Sequence, residues 1–239
     1  MIPQTLHYCW FGHKPLPPLA QQCIATWQEH MPTWRLQRWD EGNFDPQRVP
    51  YTAEAYAAEK YAFVSDYVRL WVLSNYGGVY LDVDFCVLQS FAPLMHHHAF
   101  AGFEGSKHLP LRAAVIGSEA HGQWIDEMLH LYDDLHFALP DGRFDLTTNV
   151  QRLSAHMSQH GFIQNGKEQD YKDLHIYPVE YFSPHLTTGE YRPTEHTFAE
   201  HTNLGSWHSN NNGWKETIRQ MVGQRNMTRL IKLKRKLLG

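Results

Sequence analysis

A helix pattern that runs directly into a strand pattern constrains the fold of this chain more than any other feature. Residues 53–76 repeat apolar side chains at helical spacing, and Gly77-Gly78 follows them as a typical helix end. In residues 79–85 apolar side chains alternate with polar ones, which is the period of a strand with one face in a core. A helix and a strand joined so closely, with strand patterns before and after them, predict an α/β sheet with crossover helices.

The rest of the chain continues this pattern without an internal repeat, a low-complexity block or a Gly/Ser linker. We therefore predict one domain over residues 1–216 and a basic tail over residues 217–239. Short strands are predicted over residues 5–11, 34–39, 99–103, 113–116, 176–177 and 181–182, and further helices over residues 19–30, 123–135 and 149–159.

Composition and charge exclude several classes of protein. Of the 239 residues, 42% are hydrophobic and 19% charged, which is typical of a folded globular protein. No run approaches the ~20 apolar residues of a bilayer-spanning helix, and the first ten residues lack the pattern of a signal peptide. The tail carries seven Lys/Arg and no acid although the net charge is −4, so the domain is acidic and nucleic-acid binding by it is disfavoured. Three widely spaced cysteines fit a reducing compartment, and we expect a cytoplasmic protein.

Two acids, Asp82 and Asp84, lie in the strand pattern that follows the glycines. In an extended chain their side chains point to the same face, and they repel each other unless a cation lies between them. Mg²⁺ and Mn²⁺ prefer oxygen ligands and keep positions open for substrate phosphates. The alternative is a strand end that enters solvent, where acids are common. The buried character of this strand favours a cation site, because α/β folds bind ligands at the ends of such strands.

The preceding helix pattern carries a second charged pair. One stripe of this helix consists of Ala62, Asp66, Arg69 and Leu73. Asp66 and Arg69 are three residues apart, so their side chains can touch within an otherwise apolar row. Burying a charged pair is costly, which indicates either a role in a site or a satisfied internal ion pair.

A third cluster lies in loop-like sequence at residues 201–208, where His201 and His208 flank Ser206 and Trp207. Imidazole is a common metal ligand. The chain has 17 histidines, so the alternative is that these two are incidental.

Taken together, these motifs resemble a known enzyme family. Residues 65–84 read Ser-Asp-x-x-Arg-x-x-x-Leu-x-x-x-Gly-Gly-x-Tyr-x-Asp-x-Asp, which resembles the signature of sugar-nucleotide glycosyltransferases with a DxD motif. The specific likeness is to the Och1-like and capsular-polysaccharide family, which is related to the large clostridial glucosylating toxins. The opening residues 2–12 are similar to the first strand of that family, and residues 201–207 to its closing His/Ser-Trp element.

The resemblance implies a GT-A fold, with a mixed, mainly parallel sheet between helices. It also implies a retaining transfer of a hexose from a UDP- or GDP-sugar to an acceptor hydroxyl. By the same resemblance, Asp82 and Asp84 hold Mn²⁺ or Mg²⁺ against the diphosphate, and His201 or His208 completes the metal site. The implied donor-binding residues are Trp10, which stacks on the base, together with Gly12, Ser65, Asp66, Arg69, Tyr80, Asp82, Ser206 and Trp207.

Departures from the family pattern leave the donor and the acceptor open. Ala113-Ala114 stands where we expect a donor-loop segment that contains Asn, and residues 140–175 match weakly. Two other classes compete with the transferase. A non-catalytic carbohydrate-binding module would explain the 13% aromatic residues, and a metal-dependent phosphohydrolase or nucleotidyltransferase would also use paired aspartates.

The basic tail predicts a membrane contact. In residues 225–238 the apolar side chains Met227, Leu230, Ile231, Leu237 and Leu238 fall on one side of a helix, although Lys234 interrupts the stripe. A basic amphipathic helix can lie on an anionic membrane surface. This would suit an enzyme of surface or capsular polysaccharide synthesis that acts on a glycan or lipid-linked acceptor at the inner face of the membrane. The alternative is a solvated basic end.

Overall fold

The computed structural model describes residues 1–105, 110–184 and 193–202, and one large sheet organises them. The strands are β1 (Thr5–Cys9), β2 (Arg35–Trp39), β3 (Gly78–Leu81), β4 (Phe85–Val87), β5 (Ala99–Gly102), β6 (Val115–Ser118), β7 (Gln169–Tyr171), β8 (Leu174–Tyr177) and β9 (Ala199–His201). The helices are α1 (Pro18–His30), α2 (Pro50–Ala57), α3 (Tyr61–Tyr76), α4 (Gln123–His130) and α5 (Asn149–Gln159).

Within the described part of the chain, seven strands form a mixed sheet in the order β2-β1-β3-β6-β5-β8-β7. β1 pairs parallel with β2 and with β3, and β5 pairs parallel with β8. β6 runs antiparallel to both of its neighbours, and β7 runs antiparallel to β8. The mixed sheet that the resemblance implied is therefore confirmed, although its pairings are parallel and antiparallel in equal number rather than mainly parallel. β4 and β9 form a separate antiparallel pair in which Phe85 lies opposite His201.

Helices cover both faces of the sheet. Tyr80 packs on one face with residues of α2, α3, α4 and α5, whereas Val79 and Leu81 pack on the other face with Trp27 of α1. The alternating pattern predicted one buried face for this strand, but β3 is buried on both faces. Tyr80 accounts for the difference, because it occupies a polar position of the pattern and nevertheless buries its ring.

The single helix predicted over residues 53–76 is wrong, because the chain forms two helices there, α2 and α3. Lys60 N donates to Ala55 O and Glu59 N donates to Tyr56 O, which is the hydrogen-bond pattern of a Schellman helix end. Glu59 takes the left-handed position with φ of 56°. Glycine usually fills this position, and its absence here explains why the sequence pattern showed no break.

The strand predicted over residues 79–85 ends at Leu81, which corrects the expectation that Asp82 and Asp84 share one face of an extended chain. Residues 82–84 form a turn closed by a hydrogen bond of 3.1 Å from Phe85 N to Asp82 O. The chain then enters β4, which leaves the large sheet and pairs with β9. The two acids therefore lie on a turn between two sheets.

Other boundaries differ less. α5 has the predicted bounds, and a capping box between Thr148 and Gln151 fixes its start. α4 ends at His130 rather than at residue 135, and residues 181–182 are not a strand, since Val179–Tyr181 is a 3-10 turn. His201 lies in β9, whereas residues 201–208 were predicted to be a loop.

No described helix has both the length and the apolar character needed to cross a membrane. The tail over residues 217–239 lies outside the described residues, so the boundary at residue 216 stays a prediction.

Candidate active site

Arg69 is the centre of a buried polar cluster at the carboxyl end of β3. Its Nη2 lies 3.0 Å from Asp66 Oδ1 and 3.2 Å from Asp82 Oδ1. Its Nη1 donates a hydrogen bond of 2.8 Å to the Ala113 carbonyl. A guanidinium that is only 7% exposed needs such partners, because an unpaired buried charge is strongly destabilising. The predicted contact between Asp66 and Arg69 is confirmed, and Arg69 also joins α3 to the turn after β3.

Tyr80 supports this cluster from the sheet. The Arg69 guanidinium carbon lies 4.8 Å from the centroid of the Tyr80 ring, a cation–π arrangement. The Tyr80 hydroxyl donates a hydrogen bond of 2.8 Å to Asp82 Oδ1. Burial raises the pKa of Tyr80 well above its usual range, so this hydroxyl stays protonated and acts as a donor. Tyr80 and Arg69 together fix the orientation of the Asp82 carboxylate.

The two carboxylates on Arg69 differ in their access to solvent. The Asp66 side chain is 13% exposed, and its Oδ2 accepts a hydrogen bond of 3.0 Å from Asn149 N at the start of α5. Burial raises the pKa of Asp66 to about 6, although Arg69 and the Asn149 N–H oppose this shift. The Asp82 side chain is 31% exposed, so a ligand can reach it. Asp66 therefore lies behind Arg69, and Asp82 lies at the open edge.

Asp84 forms a second centre with His201. The distance from His201 Nε2 to Asp84 Oδ2 is 3.1 Å. The Thr202 amide and hydroxyl both donate to the Asp84 carbonyl at 2.9 Å, which ties the turn to the end of β9. The pairing of β4 with β9 thus brings together an acid and an imidazole that are 117 residues apart in sequence.

This second centre fits a divalent cation in donor chemistry and spacing. Two adjacent ligands of an octahedral site with ~2.1 Å bonds lie about 3 Å apart, which agrees with the Asp84–His201 separation. A carboxylate oxygen and an imidazole nitrogen suit Mn²⁺, and the oxygen suits Mg²⁺. Among residues 1–105, 110–184 and 193–202 no group of three or more His, Cys, Asp or Glu could hold a metal ion. Two protein ligands leave coordination positions for substrate phosphates.

The remaining predicted donor-binding residues have other contacts. Trp10 follows β1, is partly buried, and donates from Nε1 to the Lys14 carbonyl at 2.6 Å. Gly12 N donates to Glu41 Oε1 at 2.6 Å. Neither of these hydrogen bonds involves Arg69 or its partners. Ser65 touches the cluster through its carbonyl, which accepts from Arg69 Nε at 3.2 Å.

Gly12 has a steric reason to be glycine. Its φ is +93°, and a Cβ there would lie 2.4 Å from the Tyr61 ring at the start of α3. The loop after β1 can therefore lie close to α3 only without a side chain at this position.

Ser206, Trp207 and His208 lie outside the described residues. Their predicted roles in binding the donor and the metal stay predictions.

Sequence reasoning missed one charged residue beside the site, Arg112. Its guanidinium carbon lies 5.2 Å from the centroid of the Phe85 ring, directly after Asp84. The available signal was its place immediately before Ala113-Ala114, where the sequence departs from the family pattern.

One family of known proteins matches part of the chain. Residues 17–101 match the family described as "Glycosyltransferase sugar-binding region containing DXD motif". This segment contains Asp66, Arg69 and Tyr80 together with both acids of the turn. The match covers about a third of the chain and shows its similarity to the DXD-containing glycosyltransferases. The resemblance noted in the sequence is thereby confirmed.

One solved structure supports the fold. The PaToxG glycosyltransferase is 18% identical and aligns over 67% of this chain and 70% of its own, with a TM-score of 0.54. That likeness shows the GT-A fold. The galactosyltransferase LgtC, solved with donor and acceptor sugar analogues, is 12% identical and aligns over 90% of this chain and 94% of its own with a TM-score of 0.48.

One curated relative is similar in sequence. Glucan organizing enzyme 1 of Cryptococcus neoformans var. grubii is 26% identical in an alignment 165 residues long, and the match covers 56% of this chain and 44% of the relative. The chain therefore spans less than half the length of that relative.

Proposed function

We propose that this DXD-containing glycosyltransferase moves a hexose from a UDP- or GDP-sugar to an acceptor hydroxyl, with retention at the anomeric carbon and with a bound Mn²⁺ or Mg²⁺. The observation that carries the proposal is the adjacency of two centres on one turn. The Arg69 cluster ends at Asp82, and the Asp84–His201 pair begins two residues later. DXD-containing GT-A enzymes generally use a divalent metal, and retention follows from the family resemblance.

The two centres divide the binding of the donor. Asp84 and His201 would hold the cation, with Asp82 at its side. When bound, the cation stabilises the negative charge that grows on the nucleoside diphosphate as the glycosyl bond breaks. The family resemblance assigns Asp66 and Arg69 to the sugar end of the donor, where Arg69, held by Asp66, and Tyr80 keep Asp82 in place at the open edge. Trp10 offers a flat ring for the base at the carboxyl end of β1.

The acceptor in this proposal is a glycan or a lipid-linked glycan of surface polysaccharide synthesis, such as a capsule. The support is the family resemblance and the basic tail over residues 217–239. An enzyme at the inner face of an anionic membrane would meet such an acceptor there. The proposal includes a cytoplasmic location with peripheral membrane contact.

The test is release of UDP or GDP from a panel of sugar nucleotides. Purified protein is assayed with each donor in excess EDTA, and again after Mn²⁺ or Mg²⁺ is restored. The proposal expects release of nucleoside diphosphate from one class of donor, only with the cation. A carbohydrate-binding module would release nothing, and a phosphohydrolase or nucleotidyltransferase would release phosphate, pyrophosphate or nucleoside monophosphate instead.

A further inference from the structure

Arg112 lies beside both acids of the DXD turn and is not used by the function proposed above. Its backbone N–H donates to the Gly102 carbonyl at 2.8 Å, which places the residue next to β5. Its guanidinium lies over the ring of Phe85, the residue after Asp84. The His201 ring contacts the same Phe85 ring, with centroids 5.1 Å apart. Arg112 and His201 are therefore neighbours of one aromatic ring.

The charge of Arg112 lacks a direct partner in the described residues. No carboxylate there lies within ion-pairing distance of its guanidinium, and its Nε is shielded from solvent without a hydrogen-bond partner. The nearest opposing charges are Glu104, Asp84 and Asp82, which act on it from beyond contact distance. Burial lowers the pKa of Arg112 and these acids oppose the shift, but a guanidinium stays protonated in proteins.

Arg69 provides the internal comparison. Its guanidinium contacts Asp66, Asp82 and the Ala113 carbonyl, so its donors are largely satisfied within the protein. The side chain of Arg112 makes none of these contacts, although Ala113 is the next residue in the chain. A guanidinium whose Nε is shielded from solvent without a hydrogen-bond partner is costly unless a ligand accepts its hydrogen bonds.

A ligand with anionic oxygen atoms would meet that requirement. A cation held by Asp84 and His201 would repel Arg112 unless negative charge lay between them. Arginine also presents a planar fork that binds phosphate or carboxylate oxygens through two hydrogen bonds. The donor of a glycosyltransferase brings such oxygens to this place.

We infer that Arg112 binds an anionic oxygen of the sugar-nucleotide donor and so contributes to donor selection. This inference rests on the proposed function. The anionic oxygen has two possible sources, the diphosphate of the donor or a carboxylate on the transferred sugar, as in a hexuronate. Arg112 and His201 contact the same Phe85 ring, so Arg112 lies near the Asp84–His201 pair. The proposed function has the diphosphate bound at the cation held by this pair, which favours the diphosphate as the ligand of Arg112.

The test measures donor binding by titration calorimetry in the presence of Mn²⁺. Wild-type protein, Arg112→Gln and Arg112→Lys are titrated with UDP and GDP, the corresponding nucleosides, neutral hexose donors and hexuronate donors. Arg143→Gln is the matched control, because Arg143 is exposed and pairs only with Asp141 among the described residues. Thermal unfolding of each variant verifies folding, and the lysine variant keeps the charge if the glutamine variant is unstable.

If the diphosphate is the ligand, Arg112→Gln should weaken binding of the free nucleoside diphosphate by about tenfold or more and leave nucleoside binding unchanged. Arg112→Lys should then recover part of the lost affinity, because it keeps the positive charge. If a sugar carboxylate is the ligand, nucleoside diphosphate binding should persist while a hexuronate donor loses about tenfold relative to a neutral one. Equal affinity of folded variants and wild type for all these ligands, or an equal loss for nucleoside and nucleoside diphosphate, would overturn the inference. If wild-type protein binds no sugar nucleotide at all, the proposed function itself fails, which is a separate result.

Discussion

At the scale of single residues, Arg69 connects the parts of the site. It joins Asp66 of α3, Asp82 of the turn and the Ala113 carbonyl before β6. Removing one partner from such a buried network costs about 3–5 kcal/mol, because the remaining charge is left uncompensated. The geometry of the guanidinium therefore matters as much as its charge.

Arg69→Lys should reduce donor cleavage nearly as much as Arg69→Ala does. A lysine ammonium is a compact charge and cannot contact two carboxylates and a carbonyl with the planar fork that Arg69 uses. The measurement is kcat/KM for nucleoside diphosphate release, with Arg38→Lys as the control for a partly exposed pair with Asp40. An unchanged kcat/KM in a folded Arg69→Lys protein would mean that Asp66 and Arg69 form an internal ion pair without a role in the reaction.

Asp66 predicts a dependence of activity on pH. Its pKa is raised to about 6 by burial, and only the ionised carboxylate fully balances Arg69. Activity should therefore fall as pH drops through about 6, because the carboxyl becomes protonated. A profile of kcat/KM between pH 5 and 8 measures this, and Asp66→Asn should lack that acidic limb at a lower overall rate. Persistence of the same limb in Asp66→Asn would assign it to another group.

The residues of the site were predictable to different degrees. Asp66 and Arg69 could be identified because helical spacing alone brings them together. Asp84 and His201 could be linked only through the family resemblance, since the strand pairing that joins them is formed by three-residue strands with little pattern. Arg112 has no periodic relation to the acids, and its proximity depends on how β5 and β6 are placed.

At the scale of elements, the junction between α3 and β3 determines where the acids lie. Gly77 and Gly78 have φ of +61° and +108°, a region that side chains strongly disfavour. A Cβ on Gly78 would lie 2.8 Å from both His7 Nε2 and Thr5 O of β1. The glycines therefore allow α3 to reverse directly into a strand that lies against β1.

Gly78→Ala should lower the free energy of unfolding by about 2 kcal/mol or more, from backbone strain and from the contact with β1. Gly142→Ala is the matched control, because Gly142 has φ of +82° but nothing lies within 4 Å of its Cβ position. Urea unfolding of both variants separates the two costs. Equal destabilisation by the two substitutions would mean that the close approach to β1 has no cost of its own.

Element prediction worked where the signal is local. α5 has its predicted bounds, and the capping box at its start lies within four consecutive residues. The break between α2 and α3 was missed because Glu59 replaces the usual glycine. The turn at residues 82–84 was missed because apolar residues continue to alternate with polar ones through it. Val83 and Phe85 are indeed buried, but neither belongs to a strand of the large sheet.

At the scale of the whole molecule, the described residues form a sheet with helices on both faces and a polar edge. The acids of the turn follow β3, and Trp10 follows β1, so both lie at the carboxyl end of parallel neighbours. This is where open α/β sheets bind ligands. The sequence predicted this class from its order of helix and strand patterns, whereas the antiparallel placement of β6 depends on long-range pairing that no local pattern encodes.

The tail supplies a test of the proposed membrane contact. Deletion of residues 224–239 should release the protein from anionic liposomes, since each basic residue near the surface contributes ~1 kcal/mol. Donor hydrolysis should be spared, because the site is built from residues before the tail. Sedimentation with anionic and neutral liposomes at low salt measures this. If full-length protein does not sediment with anionic liposomes, the proposed membrane contact is contradicted.

The most direct test of the central claim is nucleoside diphosphate release by wild type and Asp84→Ala, each with Mn²⁺ or Mg²⁺ and with excess chelator. Asp170→Ala is the control, since the Asp170 side chain is 75% exposed and contacts His175 instead. The account predicts that only wild type and the control release nucleoside diphosphate, that both need the cation, and that Asp84→Ala is folded but inactive. Full activity of wild type in chelator, or of Asp84→Ala with the cation, would contradict it.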